Sequence, residues 1–440
     1  MIASRKALGK GPRGPESRPA FAPSIIVLSL LCLLYVILYL DRTNISTAAP
    51  LIKSGLKLSN TQIGLVFSAF AVPFAAVQLI GGVFGDKFGP RLILTVCCGI
   101  VGLSTVCTGL AGGLTSLIAA RMALGLGEGA ANSTATRAMS AWVPREKWGF
   151  AQGITHSCAR AGNAIAPPLM VALFAWTTWR MSFVVLGLGS LVWLAIWAWY
   201  FRDDPRTHPS ITGAELKSLP EPTGYKRPRV PWLRLARSIY PVTIVDFCYG
   251  WTIWVFLSWI PSFFIENYHL KLADSALYTA GVLSAGIAGD TLGGVLSDRI
   301  LQRTGDLLMA RRSVIVGGFL GALLFMIPVV LIHNLNASAV CLSVAFFCLE
   351  LIVGPIWSVP MDIAPRYAGT ASGMMNFGFA VAGLVSPSSF GYIVDATGSW
   401  IMPFIGSIVL LIAGAILGAR LRPDRRFTEA DNINGTRTQR

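Results

Sequence analysis

Apolar residues fall into runs of about twenty along this chain, the length an α-helix needs to cross a hydrocarbon core. The clearest is Phe21 to Leu40, a Leu-rich run of 20 residues without a charge. Twelve such runs predict helical spans over 21–46, 61–84, 91–112, 114–138, 149–174 and 181–201, then 239–264, 273–297, 311–332, 338–361, 367–393 and 398–420. The breaks between them are short except at 202–238, which is rich in Pro and charge (RDDPRTHPS, GYKRPRVP). The pattern predicts an all-α membrane protein with twelve transmembrane helices in two pseudo-symmetric six-helix bundles, 21–201 and 239–420. Residues 1–20, the central loop 202–238 and residues 421–440 are then cytoplasmic.

Composition agrees with that class. Charged residues make up 13% of the chain and apolar residues 54%, against roughly 25% charged in a soluble domain. The net charge of +15 raises nucleic acid as a partner, but its placement argues for topology instead. Of the 36 Lys and Arg residues, Arg42, Arg121 and Arg160 fall inside spans, while Lys53, Lys57, Arg180 and Lys271 fall on one side. The other 29 crowd the termini and the loops of the opposite side. That bias puts both termini in the cytoplasm, and the short loops and plain termini lead us to expect a bacterial inner (plasma) membrane. The first run lacks a cleavage site and is expected to stay as the first span. The eight cysteines have no metal-ligand spacing and read as small apolar fillers. No nucleophile–base set and no HExxH motif appear, so an enzyme is not expected, nor is a cofactor or a metal.

The halves repeat. GGVFGDK (81–87) and GGVLSDR (293–299) each close the second span of a half. GFAQG (149–153) matches GTASG (369–373), and Pro167 matches Pro387 in the same register, which sets His156 against Asn376. Duplicated halves of this kind place a substrate site near the midplane between them.

The charges inside the spans carry the chemistry. Asp41 and Arg42 stand together in a stretch with no other charge from Pro19 to Ile52. An ionisable group within a membrane helix costs roughly 2.5–3.5 kcal/mol on insertion scales, so it marks a site or a partner. Adjacent residues do not share a helical face, so each needs its own partner. Arg121 and Glu128 lie seven residues apart, two turns and about 10.5 Å along one face. A guanidinium suits a carboxylate, because its planar fork stays charged and binds two oxygens. A proton carrier must titrate, and desolvation favours the neutral form of a carboxyl group. The competing reading is packing alone, with Arg121 on Asp41 or Arg42 on Glu128 as buried ion pairs.

The fifth span adds Gly153, His156, Arg160, Asn163 and Pro167 at helical spacing on one face. A third cation suits a compact or doubly charged anion. The alternatives are an Arg160 paired with Asp41 or Glu128, or one lying at a bundle interface. His156 either titrates or is a hydrogen-bonded structural group. Asp290 and Glu350 read as secondary polar contacts between helices, and Asp246 as a residue close to the cytoplasmic boundary. His208 reads as a solvated loop residue.

GGVFGDKFGPR (81–91) resembles the loop signature of the major facilitator superfamily, and GGVLSDRI its weaker second copy. YLDRTNIS (39–46), the span from Arg121 and Glu128 to Trp142-Val143-Pro144, and YFRDDPRTHP (200–209) resemble that superfamily's anion:cation symporter branch. The resemblance implies proton-coupled uptake of a small organic anion: a sugar acid, dicarboxylate, aromatic acid or sulfocarboxylate. It implies Asp41 and Glu128 as proton-coupling acids, and Arg42 and Arg121 as groups that hold the anion or tune the acids. Asn376, Tyr39, Phe74, Gln78 and Trp357 match positions at or near the cavity of relatives. Arg160 departs from the sugar-acid carriers, which have a nearby glutamine. Asp86, Lys87 and Arg91, with Asp298 and Arg299, are expected to switch conformation, each Asp capping a helix of the other half. The expected partners are the anion, H+ (Na+ being the alternative) and the lipid bilayer, with the chain acting as a monomer. The rival is a proton-antiport exporter, whose GxxxGPxxGG pattern is not met by GITHSCARAGNAIAPP (153–168).

Overall fold

In lipid, a backbone must satisfy its own polar groups, and the chain does so by forming helices throughout. The computed structural model describes residues 22–144, 147–220 and 230–427, apart from the side chains of residues 79–83, 86, 149 and 366. Span 1 is Pro23–Leu56, span 2 is Asn60–Ala69 continued by Ala71–Phe88, and span 3 is Pro90–Gly109. Span 4 is Leu114–Gly129 continued by Ala131–Trp142, span 5 is Trp148–Trp176 and span 6 is Trp179–Tyr200. The second half holds span 7 (Trp232–Tyr268), span 8 (Leu272–Thr304) and span 9 (Leu307–Leu331). Span 10 is Leu335–Glu350 continued by Val353–Ile363, span 11 is Ala368–Thr397 and span 12 is Met402–Arg420. Among the described residues, eleven helices are long and apolar enough to cross a membrane. Span 4 is the twelfth: it divides at Ala130 and carries Arg121 and Glu128.

Two of the expected boundaries are corrected. Span 1 continues to Leu56 instead of stopping at 46, because Thr43, Asn44, Ser46 and Thr47 are buried in the bundle and do not mark a helix end. Span 7 begins at Trp232 rather than 239. Asp246 therefore sits well inside the helix and 1% exposed, far from the boundary position expected of it. Its carboxylate accepts the Phe379 backbone N–H of span 11 at 3.2 Å.

Two apolar cores form, one mainly in each half, but each takes in residues of the other half, Trp254 in the first and Phe67 and Phe183 in the second. The first is built on residues such as Leu31, Phe70, Trp142 and Trp193. To the second, Ile253, Phe256, Phe319 and Phe346 contribute. Proline sets the kinks that shape the space between them. Pro73 lacks an N–H and its ring crowds the carbonyl of Ala69, so span 2 breaks at Phe70. Span 4 packs directly on that kink: a Cβ at Gly125 would lie 2.1 Å from the Phe70 carbonyl oxygen.

With an even number of spans, Pro23 and Arg420 end on one side, termed here the tail side. On the far side the halves are pressed together. A Cβ on Gly64 of span 2 would lie 2.5 Å from the Pro387 carbonyl oxygen of span 11. One on Gly391 would lie 2.2 Å from that of Asn60. Asp395 of span 11 accepts four hydrogen bonds from the start of span 2. They come from the backbone N–H groups of Asn60 (3.2 Å) and Thr61 (2.7 Å), the Asn60 amide (2.8 Å) and the Thr61 hydroxyl (2.6 Å). Ser388 and Ser68 share a hydrogen bond at 2.7 Å, and Phe67 meets Trp259 edge-on at 5.3 Å.

Candidate functional site

Span 1 carries Asp41 and Arg42 to mid-depth, about 27 Å from its first residue at 1.5 Å per residue. The two side chains diverge, as adjacent helical residues must. Arg42 turns to span 4, where its Nη2 and Nε donate to the same Glu128 oxygen, Oε2, at 2.6 and 3.1 Å. Its guanidinium carbon lies 4.6 Å from the Tyr39 ring centroid and 5.1 Å from those of Phe70 and Phe74. This aromatic box holds the plane of the guanidinium. The other Glu128 oxygen, Oε1, is buried without a hydrogen-bond partner.

Asp41 turns toward span 6. Its carboxyl group receives the Asn44 amide at 3.2 Å and the Ser190 hydroxyl at 3.1 Å. Both donors are neutral. Arg121, from span 4, donates from Nη1 to the Asp41 backbone carbonyl at 3.4 Å and stacks 5.3 Å from Phe70. It makes no ion pair among the described residues, its Nε is unpartnered, and it is 2% exposed. Of the two packing pairs that the sequence allowed, the structure forms Arg42–Glu128, while Arg121 has the Glu128 and Asp41 carboxylates as electrostatic neighbours without a direct ion pair among the described residues.

Arg160 settles at the interface of the halves. From span 5 it reaches Asp290 of span 8 (Nε to Oδ2, 3.2 Å) and Glu350 of span 10 (Nη2 to Oε2, 2.9 Å). Asp41 and Glu128 are not its partners. Asp290 and Glu350 are thus counter-ions of a cation from the other half, a role not assigned to them from sequence. Asn376 also reaches across, donating to the Gln78 side chain at 2.7 Å. The His156 ring packs on Tyr35 of span 1 at 5.9 Å. Asn163, 2% exposed, receives the Thr43 hydroxyl at 3.5 Å. Tyr39 stacks on Tyr35 at 6.5 Å besides facing Arg42. Trp357 is partly buried against the core of the second half.

The expected switch residues sort differently. Arg91 binds within its own half: its guanidinium donates twice to the Ala198 carbonyl, at 2.6 and 3.0 Å, and its N–H bonds Asp203 at 2.8 Å. Gly89 has a left-handed φ of 83° and touches the same Asp203 carboxylate, so a side chain there is excluded twice over. Lys87 is exposed, its ammonium 5.2 Å from the Phe88 ring. The Asp86 side chain lies outside those described. Among the described residues, Asp298 makes no hydrogen bond to a helix of the other half. Arg311 of span 9 reaches back to it at 3.3 Å and bonds Asp362 of span 10 at 3.0 Å, which keeps the contact inside one half. Arg299 is exposed. His208 is another correction: it is buried at 5% exposure between Trp142 (5.3 Å) and Tyr200 (4.8 Å).

A duplicated helical bundle with a buried, charged site between its halves is the architecture of a secondary transporter. The chain belongs to the Major Facilitator Superfamily, whose sequence pattern it matches over residues 31–387. It is 48% identical over 402 residues to a probable sulfoacetate transporter of Cupriavidus necator, covering 90% of this chain and 94% of that one. Over 396 residues it is 28% identical to a hexuronate transporter of Bacillus subtilis, covering 89% and 93%. The fold matches, at a TM-score of 0.75 and 17% identity, the inward-facing, unoccupied structure of a bacterial homologue of the human lysosomal transporter Spinster. That match covers 94% of this chain and all of the other. The protein is a transporter of the organic-anion carriers' branch and not an enzyme.

Proposed function

We propose that the protein is a proton-coupled importer of a small, doubly charged organic anion of the sulfocarboxylate class, working by alternating access from a bacterial inner membrane with both termini in the cytoplasm. Arg121 carries this reading. It is a buried guanidinium that makes no direct ion pair among the described residues, set beside the Arg42–Glu128 pair and sharing the Phe70 ring with it. One anionic group of the substrate makes the direct ion pair that Arg121 does not make with its own neighbours, and a bidentate approach draws Arg42 from Glu128. The carboxylate so released, already short of a partner at Oε1, takes a proton, because a buried unpaired charge is far costlier than a neutral acid. Asp41, held only by neutral donors, is the second proton-linked acid of this half. The relative named for sulfoacetate and the third cation, Arg160, support a compact dianion over a long neutral polyol tail. The four hydrogen bonds on Asp395 close the far side, and the halves part there when the site is loaded from outside.

Uptake of sulfoacetate into proteoliposomes, with and without a pH gradient, tests this reading. Accumulation should follow the proton gradient and should not respond to Na+. Glu128→Gln should abolish accumulation and retain counterflow exchange. Full proton-driven accumulation by that variant would sink the assignment, and efflux driven by an opposed gradient would favour the exporter.

A further inference from the structure

Spans 4 and 10 are built alike in one respect that motif matching does not reveal. Each is broken, and each first segment is sixteen residues long, Leu114–Gly129 and Leu335–Glu350. Each of these segments ends on an acid, Glu128 as its penultimate residue and Glu350 as its last. In both, the acid is 1% exposed or less and pairs with a guanidinium from another span, Arg42 at 2.6 Å or Arg160 at 2.9 Å. Glu128 keeps one buried oxygen, Oε1, without a hydrogen bond, and Glu350 keeps both, its contact with Arg160 being an ion pair only. Span 8 is cut away to admit Glu350: a Cβ on Gly286 or Gly289 would stand 3.0 or 2.9 Å from its side-chain carbons. The acid at the break of span 4 is therefore matched by one at the break of span 10, and the second pair joins the two halves because its guanidinium, Arg160, comes from span 5.

The neighbours of the second pair differ. Asp290 holds the Nε edge of Arg160 and is 15% exposed, while Glu350 holds Nη2 and is 1% exposed. His156 of span 5 faces Asp290 and Arg160, and Tyr249 of span 7 faces Glu350, Asp290 and Arg160. Three ionisable groups of fixed sign thus give two negative charges against one positive. An anion that displaces Glu350 from Nη2 leaves Asp290 in place on Nε. It leaves Glu350, 1% exposed, without the one cation that it pairs with among the described residues.

We propose that Glu350 is a second proton-binding residue, exchanged for one anionic group of the substrate at Arg160, so that a dianion enters with two protons, one taken by Glu128 and one by Glu350. The inference rests on the functional reading above. Charge balances at each site: one substrate anion joins the guanidinium, one proton joins the released carboxylate, and the total is unchanged. On release the proton leaves, and each acid returns to its arginine. A monoanion engages only one site and carries only one proton.

The experiment is a reversal-potential measurement of sulfoacetate flux by the full-length protein in proteoliposomes, at fixed pH gradients with the membrane potential clamped. The wild type should move two protons per dianion, and Glu350→Gln should move one, with net negative charge entering. Counterflow exchange by the variant verifies that it is folded. Independently of any variant, proton uptake by the detergent-solubilised protein should be two per bound sulfoacetate and one per bound methanesulfonate. A Glu350→Gln protein with the wild-type ratio, or a wild type that binds a single proton with the dianion, overturns the inference and leaves the single-site importer intact. Absence of any proton-driven sulfoacetate flux in the wild type would overturn the functional reading itself.

Discussion

Asp395→Asn tests whether the far-side closure described above sets the balance between closed and open states. The carboxylate accepts four hydrogen bonds at 2.6 to 3.2 Å from Asn60 and Thr61. It also sits at the N-terminus of span 2, where the helix dipole favours an anion. In an exposed position each bond contributes toward the lower end of about 0.5–1.5 kcal/mol, and the dipole adds about 0.3–1 kcal/mol. Asparagine keeps one acceptor oxygen and turns an N–H2 toward the remaining donors. The net loss is then about 1.5–2 kcal/mol, or roughly a 10- to 30-fold shift toward the state open on the far side. Spin labels on Ser54 of span 1 and Ala273 of span 8, in a background with the exposed Cys107 replaced, would report the separation of the halves by pulsed dipolar spectroscopy. The long-distance population should grow in Asp395→Asn. Lys53→Ala is the control: its pair with Glu266 is 3.6 Å long and over 30% exposed on both sides, a geometry worth about 0–1 kcal/mol. Equal shifts from both variants, or none from Asp395→Asn, would refute the argument that this cap is the latch.

Two further outcomes follow from particular side chains. Arg42→Lys keeps the charge but loses the forked approach to Glu128 and the box of Tyr39, Phe70 and Phe74. A fall of about 10- to 100-fold in kcat/KM for uptake is expected, and unchanged kinetics would mean that a point charge suffices. His208 lies outside the membrane spans, and burial, then the nearby Arg202, push its imidazole below the ordinary value of 6.5. The folded loop then binds fewer protons than the unfolded one, so its stability is full above about pH 6.5 and is lost as pH falls through that range. Hydrogen exchange over 200–220 should quicken at acid pH beyond the intrinsic trend, and His208→Gln should remove the effect.

The spans were legible because a membrane imposes a length and a hydropathy on each helix independently of the others. The places where that reading slipped share one cause. Asn44 to Thr47 look like a helix end by polarity, yet polar residues buried in a bundle face one another and not water. Asp246 and His208 look solvated for the same reason, and both are buried against neighbours that lie distant in sequence. Arg121, Glu128, Asp41 and Arg42 could be singled out by the expense of charge in lipid, but the pairing among them depends on helix rotation, which spacing alone does not supply. Arg160 shows this best. Its partners come from spans 8 and 10, and only the docking of the halves brings them within 3.2 Å. Glu350 itself carried a signal, as the lone acid among the 29 residues of Leu335–Ile363 apart from Asp362 near its end.

The kink at Phe70 joins two matters usually treated apart. Its ring lies 5.1 Å from Arg42 and 5.3 Å from Arg121, and 5.9 Å from Trp254 of the opposite half. A guanidinium that turns to meet an anion therefore changes its pressure on a ring that already touches the moving partner. Recognition and motion are one contact apart, with no relay of intervening side chains for the signal to cross. Loss of that ring should uncouple occupancy from movement while leaving the charges in place, giving a protein that still binds but no longer responds.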